Sequence, residues 1–313
     1  MHCIVCAIAK QENQYIYEWA KHHLEIGFSH LHIYDNNDVE GECIEDVFRG
    51  TDIEGDVTIH DVRGKKCMQL KVYQECYERE DFDWCAFIDI DEFISFTDPQ
   101  MSIDTFLKDK QEFEAVHLNW LCYGDDEQLD SDGRGVLERI IHPIEPMNFK
   151  AQYYTIPENC HIKSIIRKGS KIDWEKASEE TFFESPHTPA GLKSVCNAMG
   201  QKVRNCPWNA MDHSVCYVAH YITKTLREYE MKTQRRAADF DGLYHSYARY
   251  FRYNKMTCAK LSEIKKVSPQ TSVRAIIWDR VKWWSFEHKL FLSNCFRQFK
   301  RKRIEELKYE AAI

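Results

Sequence analysis

The chain has 313 residues, of which 43% are hydrophobic and 29% are charged, and its formal net charge is −8. This composition is typical of a globular protein and excludes a predominantly disordered chain. The acidic balance argues against a chain-wide nucleic-acid-binding surface, so we expect no nucleic acid partner.

Signals for export, membrane insertion and crosslinking are weak. The 13 cysteines are spread singly, which favours buried reduced thiols over a disulfide framework. Cys3 and Cys6 form a C-x-x-C, but a strand would direct them to opposite faces, which argues against a zinc or redox pair. The sequence starts with a strand-like segment rather than a signal peptide and contains no stretch of about 20 apolar residues. We therefore predict a cytoplasmic protein, either free or peripheral to the inner face of the membrane.

The first ninety residues alternate strand-like and helix-like patterns. Strands are predicted at residues 1–8, 31–34, 57–60 and 84–88, and helices at residues 10–26, 42–48 and 68–79. Short connections between alternating elements are typical of right-handed βαβ units, so we predict an α/β fold with a mostly parallel central sheet flanked by helices. This part of the chain lacks both the dinucleotide-binding glycine pattern and the P-loop. A bound phosphate would therefore be held by a metal and side chains.

The fourth predicted strand ends in a cluster of acids. Residues 84–88 are uncharged, as in a strand buried on both faces, and Asp89, Asp91 and Glu92 follow them. Ligands collect beyond the carboxyl ends of strands in parallel α/β sheets. In an extended chain the carboxylates of Asp89 and Asp91 point the same way and suit a hard divalent cation that also holds phosphate oxygens. The alternative is an acidic turn, which is the simpler interpretation of the D-x-D pairs in polar surroundings at Asp81/Asp83, Asp130/Asp132 and Asp239/Asp241.

The second half of the chain supplies further candidates. Strands are predicted at residues 115–121, 162–167 and 216–221, and helices at residues 103–109 and 223–236. Asp125 and Asp126 follow the first of these strands. They are either turn residues or candidates for a general base, a role that requires a carboxylate within hydrogen-bond reach of an attacking hydroxyl. The last strand delivers His220. Glu228 lies four residues before Lys232, the spacing of a helix-stabilising ion pair.

The C-terminal segment is basic and aromatic. Nine basic residues and two acidic ones lie between Arg274 and Arg303, interleaved with tryptophans and phenylalanines. Two interpretations stay open: a peripheral contact with an anionic membrane, or a core-packing helix with a charged outer face and a solvated tail. We expect residues 1–240 to form one domain and residues 241–313 to form a helical C-terminal extension.

Several segments resemble glycosyltransferases of the family-2-like and family-92-like group. The segments that carry the resemblance span residues 9–12, 15–19, 27–28, 34–37, 71–73, 76, 84–93 and 220–232. Their order and spacing make the likeness more specific than any single D-x-D. The resemblance implies a fold of the GT-A type, a nucleotide-sugar donor linked to UDP, and a divalent cation, manganese or magnesium.

The resemblance also implies roles for individual residues. Asp89, Asp91 and His220 would hold the metal. The residues implied to bind the nucleotide-sugar lie near strand ends and on neighbouring helices: Ala9, Glu12, Asp35, Asn37, Lys71, Asp89 and Lys224. Gln11 stands where the family more often has Asn. By the same analogy, we expect the reaction to invert the configuration at the anomeric carbon. The expected acceptor is a hydroxyl of a saccharide or glycolipid, and the expected process is surface polysaccharide or lipopolysaccharide synthesis.

The same carboxylates leave two rival functions open. A metal-dependent nucleotidyl or phosphoryl transferase could use them, although the first strand ends without the acid that an aspartyl phosphatase needs. A catalytically degenerate sugar-binding scaffold would show no turnover. The products separate these functions, because a nucleotidyl transferase releases pyrophosphate and a glycosyltransferase releases a nucleoside diphosphate.

Overall fold

A ten-stranded mixed sheet organises the computed structural model, which describes residues 1–144, 149–151, 154–156, 158–177, 188, 190–234 and 246–278. The strands are β1 (Cys3–Ala9), β2 (His30–Asp35), β3 (Val57–Asp61), β4 (Trp84–Phe87), β5 (Glu92–Phe96), β6 (Ala115–Cys122), β7 (Phe149–Ala151), β8 (Tyr154–Ile156), β9 (Ile162–Arg167), β10 (Val195–Asn197), β11 (Lys202–Val203) and β12 (Cys216–His220). The helices are α1 (Asn13–Glu25), α2 (Glu45–Phe48), α3 (Gln69–Arg79), α4 (Ile103–Leu107), α5 (Val136–Arg139), α6 (Trp174–Ala177), α7 (Leu226–Gln234), α8 (Tyr247–Tyr253) and α9 (Cys258–Val267). Short 3-10 helices span Glu54–Asp56 and Glu158–Cys160, and β7 and β8 pair separately.

The first half of the sheet is parallel, as the alternating pattern predicts. β1 lies between β2 and β4, and β3 extends the same parallel order at the edge. β6 pairs in parallel with both β10 and β12, whereas β9 runs antiparallel between β4 and β6. The predicted α/β fold with a mostly parallel central sheet flanked by helices is therefore confirmed. The insertion of β9 is a non-local pairing that the local pattern does not reveal.

The acidic tip after β4 is a turn. β4 ends at Phe87, and the Glu92 amide N–H donates a 3.1 Å hydrogen bond to the Asp89 carbonyl oxygen. β5 then starts at Glu92 and pairs antiparallel with β12. The expectation that Asp89 and Asp91 lie in an extended chain is therefore wrong. Strand alternation does not determine where their carboxylates point.

Hydrophobic residues cover both faces of the sheet. All seven residues of β1 are buried, which explains its uninterrupted apolar sequence. Cys3 packs in the cluster that includes Trp19 of α1, whereas Cys6 packs in the cluster that includes Tyr73 of α3. The prediction that these two thiols face opposite sides is confirmed. The cysteines of the described residues are free.

The described part of the C-terminal extension packs on α7. Tyr250 and Phe251 of α8 and Ile264 of α9 form a buried cluster with Leu226 and Tyr229 of α7. The predicted boundary at residue 240 lies outside the described residues, as does the basic-aromatic segment from residue 279 onward. Both predictions therefore stay predictions. Among the described helices, none is long and apolar enough to cross a bilayer.

Four histidines with lowered pKa values predict a loss of stability in mild acid. Burial lowers the pKa of His32, His117 and His161 to about 4 and that of His220 to about 3. The unfolded chain takes up protons at these histidines near pH 6.5, whereas the native chain does not, so stability falls as the pH falls from about 6.5 to 5. Glu92, whose pKa burial raises to about 8, and Glu158, whose pKa burial also raises, titrate in the opposite sense, but the histidines outnumber these two glutamates.

Urea unfolding in metal-free buffer at about pH 7 and pH 5 tests this expectation, because carboxylates with ordinary pKa values titrate mostly below that window. We expect the free energy of unfolding to be lower at about pH 5 by more than about 1 kcal/mol. An equal or higher value at the lower pH would contradict the expected neutral state of the native histidines.

Candidate active site

A cavity of about 550 Å³ lies at the carboxyl ends of β1 and β2. The loop after β1 together with the first turn of α1, residues 11–15, forms one wall, and Asn37 after β2 forms another. Glu228 and Lys232 of α7 face these walls from the C-terminal half of the chain. This is the edge of a parallel α/β sheet at which ligands bind, and most of the residues that line the cavity are polar.

An amide network fixes the loop after β1. The Gln11 backbone N–H donates a 2.6 Å hydrogen bond to Asn37 Oδ1, and Asn37 Nδ2 donates to Asn13 Oδ1 at 3.0 Å. Gln11 has a φ of 53°, in the left-handed region that Asn tolerates better than Gln. This backbone conformation gives a physical reason for the Asn that the resemblance implies at this position. Asn37 and Gln11 both line the cavity, as the resemblance implies for Asn37.

Asp35 and Ala9 accept hydrogen bonds that hold the loop after β2 in place. Asp35 accepts hydrogen bonds from the backbone N–H groups of Asn37 and Ile44, at 2.9 and 2.8 Å, and is buried. The Ala9 carbonyl oxygen accepts a 2.8 Å hydrogen bond from the Asn36 N–H. Both residues therefore position the cavity wall. Their direct contact with a nucleotide stays a prediction.

Lys224 pairs with Glu12, one of the residues that line the cavity. Lys224 Nζ lies 3.6 Å from Glu12 Oε2 and 4.0 Å from the centroid of the Tyr15 ring. Lys224 is 1% exposed and Glu12 is 4% exposed, so the pair is shielded from bulk water. Lys224 follows β12 with a φ of 51°, a conformation that is uncommon outside glycine and is often found at functional sites. Two residues that lie more than two hundred positions apart in the sequence are thus brought together.

Asp91 pairs with Lys232 and faces His220. Lys232 Nζ donates a 2.6 Å hydrogen bond to Asp91 Oδ2 and a 2.9 Å hydrogen bond to the Ile222 carbonyl oxygen. His220 Nε2 lies 3.9 Å from Asp91 Oδ1. Burial would raise the pKa of the Asp91 carboxyl, but Lys232, His220 and Lys224 outweigh this effect and hold that pKa well below its usual range. Asp91 is therefore ionised at neutral pH.

Asp89 is held by a different set of partners. Lys163 Nζ lies 2.7 Å from Asp89 Oδ2 and 3.0 Å from Glu92 Oε2, and Gln69 Nε2 donates to Asp89 Oδ1 at 3.1 Å. Lys163 belongs to β9 and is 1% exposed. The two carboxylates of the D-x-D therefore have different lysine partners.

Asp91 and His220 fit a divalent cation, and Asp89 is not part of that pair. Burial lowers the pKa of His220 to about 3, so its imidazole is neutral, as a metal ligand must be. Its buried Nδ1 has no hydrogen-bond partner among the described residues, and its Nε2 faces the Asp91 carboxylate. Two ligand bonds of about 2.1 Å each can span the 3.9 Å between these two atoms. A metal contact by Asp89 stays a prediction.

Asp125 lies in the interface with the C-terminal extension. It is 3% exposed, and its Oδ2 accepts a hydrogen bond from Tyr250 and pairs with Lys260. The Asp125 backbone N–H donates to Asn254 Oδ1 at 2.7 Å. These contacts hold α8 and α9 on the domain. They give no support to the predicted role of Asp125 as general base.

Asp126 and Lys71 also lie outside the cavity lining. Asp126 Oδ2 accepts a 2.9 Å hydrogen bond from the Ile141 N–H, and its Oδ1 pairs with the His142 ring at 2.8 Å. Lys71 is exposed on α3, and the side chain that α3 sends to Asp89 is Gln69. The base role of Asp126 and the donor contact of Lys71 stay predictions.

Lys163 and Lys232 were not assigned a role from the sequence. A lysine inside the apolar strand β9 is a usable signal, because a fully buried ammonium requires a carboxylate partner. The expected helical pair between Glu228 and Lys232 is wrong. Glu228 instead accepts hydrogen bonds from Arg139 and from the Tyr15 hydroxyl, while Lys232 reaches Asp91.

Comparison with known proteins identifies a family. The family model described as Glycosyltransferase family 92 matches residues 2–174. No curated protein matches the chain. Together with the sheet described above, the family match confirms the predicted fold of the GT-A type.

Similar solved structures include TarS residues 1–349 of S. aureus in complex with UDP, at 10% identity over 85% of this chain and 70% of that chain, with a TM-score of 0.40. The galactosyltransferase LgtC in complex with donor and acceptor sugar analogs is 15% identical over 70% of this chain and 87% of that chain, with a TM-score of 0.34. A putative glucose-1-phosphate thymidylyltransferase from Bacillus anthracis is 12% identical over 57% of this chain and 76% of that chain, with a TM-score of 0.33.

Proposed function

Because the chain belongs to glycosyltransferase family 92, we propose that it moves a sugar from a UDP-linked donor to a hydroxyl of a saccharide or glycolipid acceptor. The observation that carries this proposal is the convergence of Asp91, His220, Lys224 and Lys232 beside the polar cavity at the carboxyl ends of β1 and β2. Surface polysaccharide or lipopolysaccharide synthesis is the process in which we expect it to act.

The cavity walls suit the nucleoside, and the two lysines suit the diphosphate. Asn37 and the loop after β1 offer amide groups and backbone atoms for hydrogen bonds with a base or a ribose. Lys232 places a buried ammonium group in the cavity lining, and Lys224 places a second one beside Glu12, which also lines the cavity. Buried positive charge attracts phosphate and stabilises the negative charge that grows on a leaving diphosphate.

Asp91 and His220 are the residues that would hold a manganese or magnesium ion. Such an ion, when bound, supplies further positive charge for the departing phosphate oxygens. Lys232 keeps Asp91 ionised and oriented through its 2.6 Å hydrogen bond. The buried imidazole of His220 offers a nitrogen lone pair without first losing a proton.

Inversion of the anomeric carbon is the outcome that we propose by family analogy. It requires a carboxylate or imidazole near the acceptor hydroxyl to accept its proton. Asp125 already binds Tyr250 and Lys260 through its Oδ2, which argues against Asp125 as this proton acceptor.

The test is product analysis with a panel of nucleotide-sugars. We expect the protein to release UDP from a UDP-sugar when manganese is present and to release less of it when EDTA removes the metal. Pyrophosphate formed from a nucleoside triphosphate and a sugar phosphate would instead identify a nucleotidyl transferase. Absence of turnover with every donor would favour a sugar-binding scaffold and refute the proposal.

A further inference from the structure

Two histidines and a glutamate form a separate cluster at the outer edge of the sheet. His32 lies on β2, His60 lies on the edge strand β3, and Glu80 follows the last residue of α3. None of the three lines the cavity described above. Within the described residues, this is the group of three metal-ligating side chains whose ligand atoms, one from each residue, all lie within 4.8 Å of one another.

The ring nitrogens and the carboxylate already face one another. His32 Nδ1 lies 3.1 Å from His60 Nε2, and His32 Nε2 lies 3.7 Å from Glu80 Oε2. These two distances start from different ring nitrogens of His32, and only one of them can bind a given zinc ion. One ligand atom from each of the three residues lies within 4.8 Å of the other two. Neighbouring ligands around a tetrahedral zinc ion are about 3.3 Å apart when each bond is about 2.0 to 2.1 Å long, so binding draws the side chains closer together. The side chain of Glu80 is 31% exposed, so it is free to make the small movement that this geometry requires.

The neighbouring side chains hold the two rings in place. The Tyr34 ring stacks on the His60 ring, with centroids 4.4 Å apart and an angle of 14° between the planes. The buried Tyr34 hydroxyl has no hydrogen-bond partner among the described residues. His30, on the same face of β2, is already engaged with the Thr58 hydroxyl at 2.8 Å. His32 is therefore the imidazole of this face that contacts both the His60 ring and the Glu80 carboxylate.

We propose that His32, His60 and Glu80 bind a zinc ion that ties β2, β3 and the end of α3 together. Two imidazoles and one carboxylate are ligands typical of Zn²⁺, and three protein ligands leave a fourth position for water. The site differs from the Asp91 site in ligand type, because imidazole favours zinc whereas carboxylates and phosphates favour magnesium and manganese.

Cobalt and zinc titration of the full chain tests the proposal. We would remove bound metal with EDTA, exchange the buffer, and follow the visible absorption of Co²⁺ in an Asp91→Asn background, which separates this site from the donor site. We expect one equivalent of Co²⁺ to bind with the intense visible bands of a tetrahedral ion and to be displaced by Zn²⁺. We also expect zinc to raise the melting temperature of the protein.

The variants His60→Gln and Glu80→Gln should each weaken zinc binding by at least about tenfold. His142→Gln and Glu75→Gln are matched controls, because both side chains lie outside the cluster, and they should bind zinc as the parent does. Glu80→Gln changes a partly exposed side chain, so its metal-free melting temperature should equal that of the parent. The absence of stoichiometric binding, or equal affinity in the Glu80→Gln variant, would show that the cluster is only a hydrogen-bonded histidine pair and would overturn the proposal.

Discussion

Asp91→Asn should reduce kcat/KM for donor turnover by about 10³-fold, which corresponds to roughly 4 kcal/mol of lost transition-state stabilisation. Asparagine keeps the shape of the side chain but removes the negative charge that pairs with Lys232 and faces His220. The variant loses a charged ligand for the divalent cation and leaves the Lys232 ammonium without its carboxylate. The effect should appear mainly in kcat, because the missing charge acts on the leaving diphosphate. Steady-state kinetics with manganese measures it.

The control for this variant is another D-x-D in the same chain. Asp132→Asn alters the same sequence pattern, but Asp132 is half exposed and pairs with Arg134 in an exposed ion pair. We expect its turnover to match that of the parent protein. Melting temperatures of both variants establish that each is folded. A folded Asp91→Asn variant with parental turnover would exclude Asp91 from the reaction.

Arg139→Ala should lower the free energy of unfolding by about 3 to 5 kcal/mol, because it leaves a buried carboxylate without its charged partner. Arg139 on α5 pairs with Glu228 on α7, and the two side chains are 1% and 6% exposed. The same carboxylate accepts hydrogen bonds of 2.9 Å from the Tyr15 hydroxyl and from the Thr225 backbone N–H. Loss of Arg139 should therefore disturb the wall of the cavity as well as the stability of the chain. Urea unfolding measures the first effect, and UDP binding measures the second.

Arg134→Ala provides the comparison for Arg139. Arg134 precedes α5 and forms exposed ion pairs with Asp132 and Glu138. Exposed pairs of this kind contribute little to stability, so Arg134→Ala should unfold close to the parent protein. If Arg139→Ala were no more destabilising than Arg134→Ala, the buried pair would not be what holds α7 against the domain.

The parallel half of the fold can be predicted because its signals are local. Each βαβ unit is formed by one continuous stretch of the sequence, and the buried strand β1 consists of apolar residues throughout. The position of β9 between β4 and β6 depends on two pairings between residues that lie far apart in the sequence, such as Ala86 with Ile165 and Asn119 with Ile162, and no local pattern encodes them. The turn at Asp89–Asp91 was misjudged for a related reason. An acidic run after a strand is compatible with either an extended end or a turn, and the pairing of β5 with β12 decides between them.

The site could be predicted in part. Glu12 and Asn37 line one cavity, Lys224 pairs with Glu12, and His220 faces Asp91. The binding roles that the resemblance implies for these residues stay predictions. The direction of a long side chain is a tertiary property, and this is why helical spacing predicted the wrong partner for Lys232. Lys163 of β9 and Lys232 of α7 pair with Asp89 and Asp91, and both lysines lie far from these acids in the sequence.

A crystal structure of the chain soaked with UDP and manganese tests the central claim most directly. We expect the nucleotide to lie between the loop after β1 and α7, with anomalous density for manganese at bonding distance from Asp91 and His220. Lys224 should contact a phosphate oxygen. Nucleotide bound elsewhere, or an Asp91 side chain that contacts Lys232 alone while UDP and manganese occupy another surface, would contradict the account.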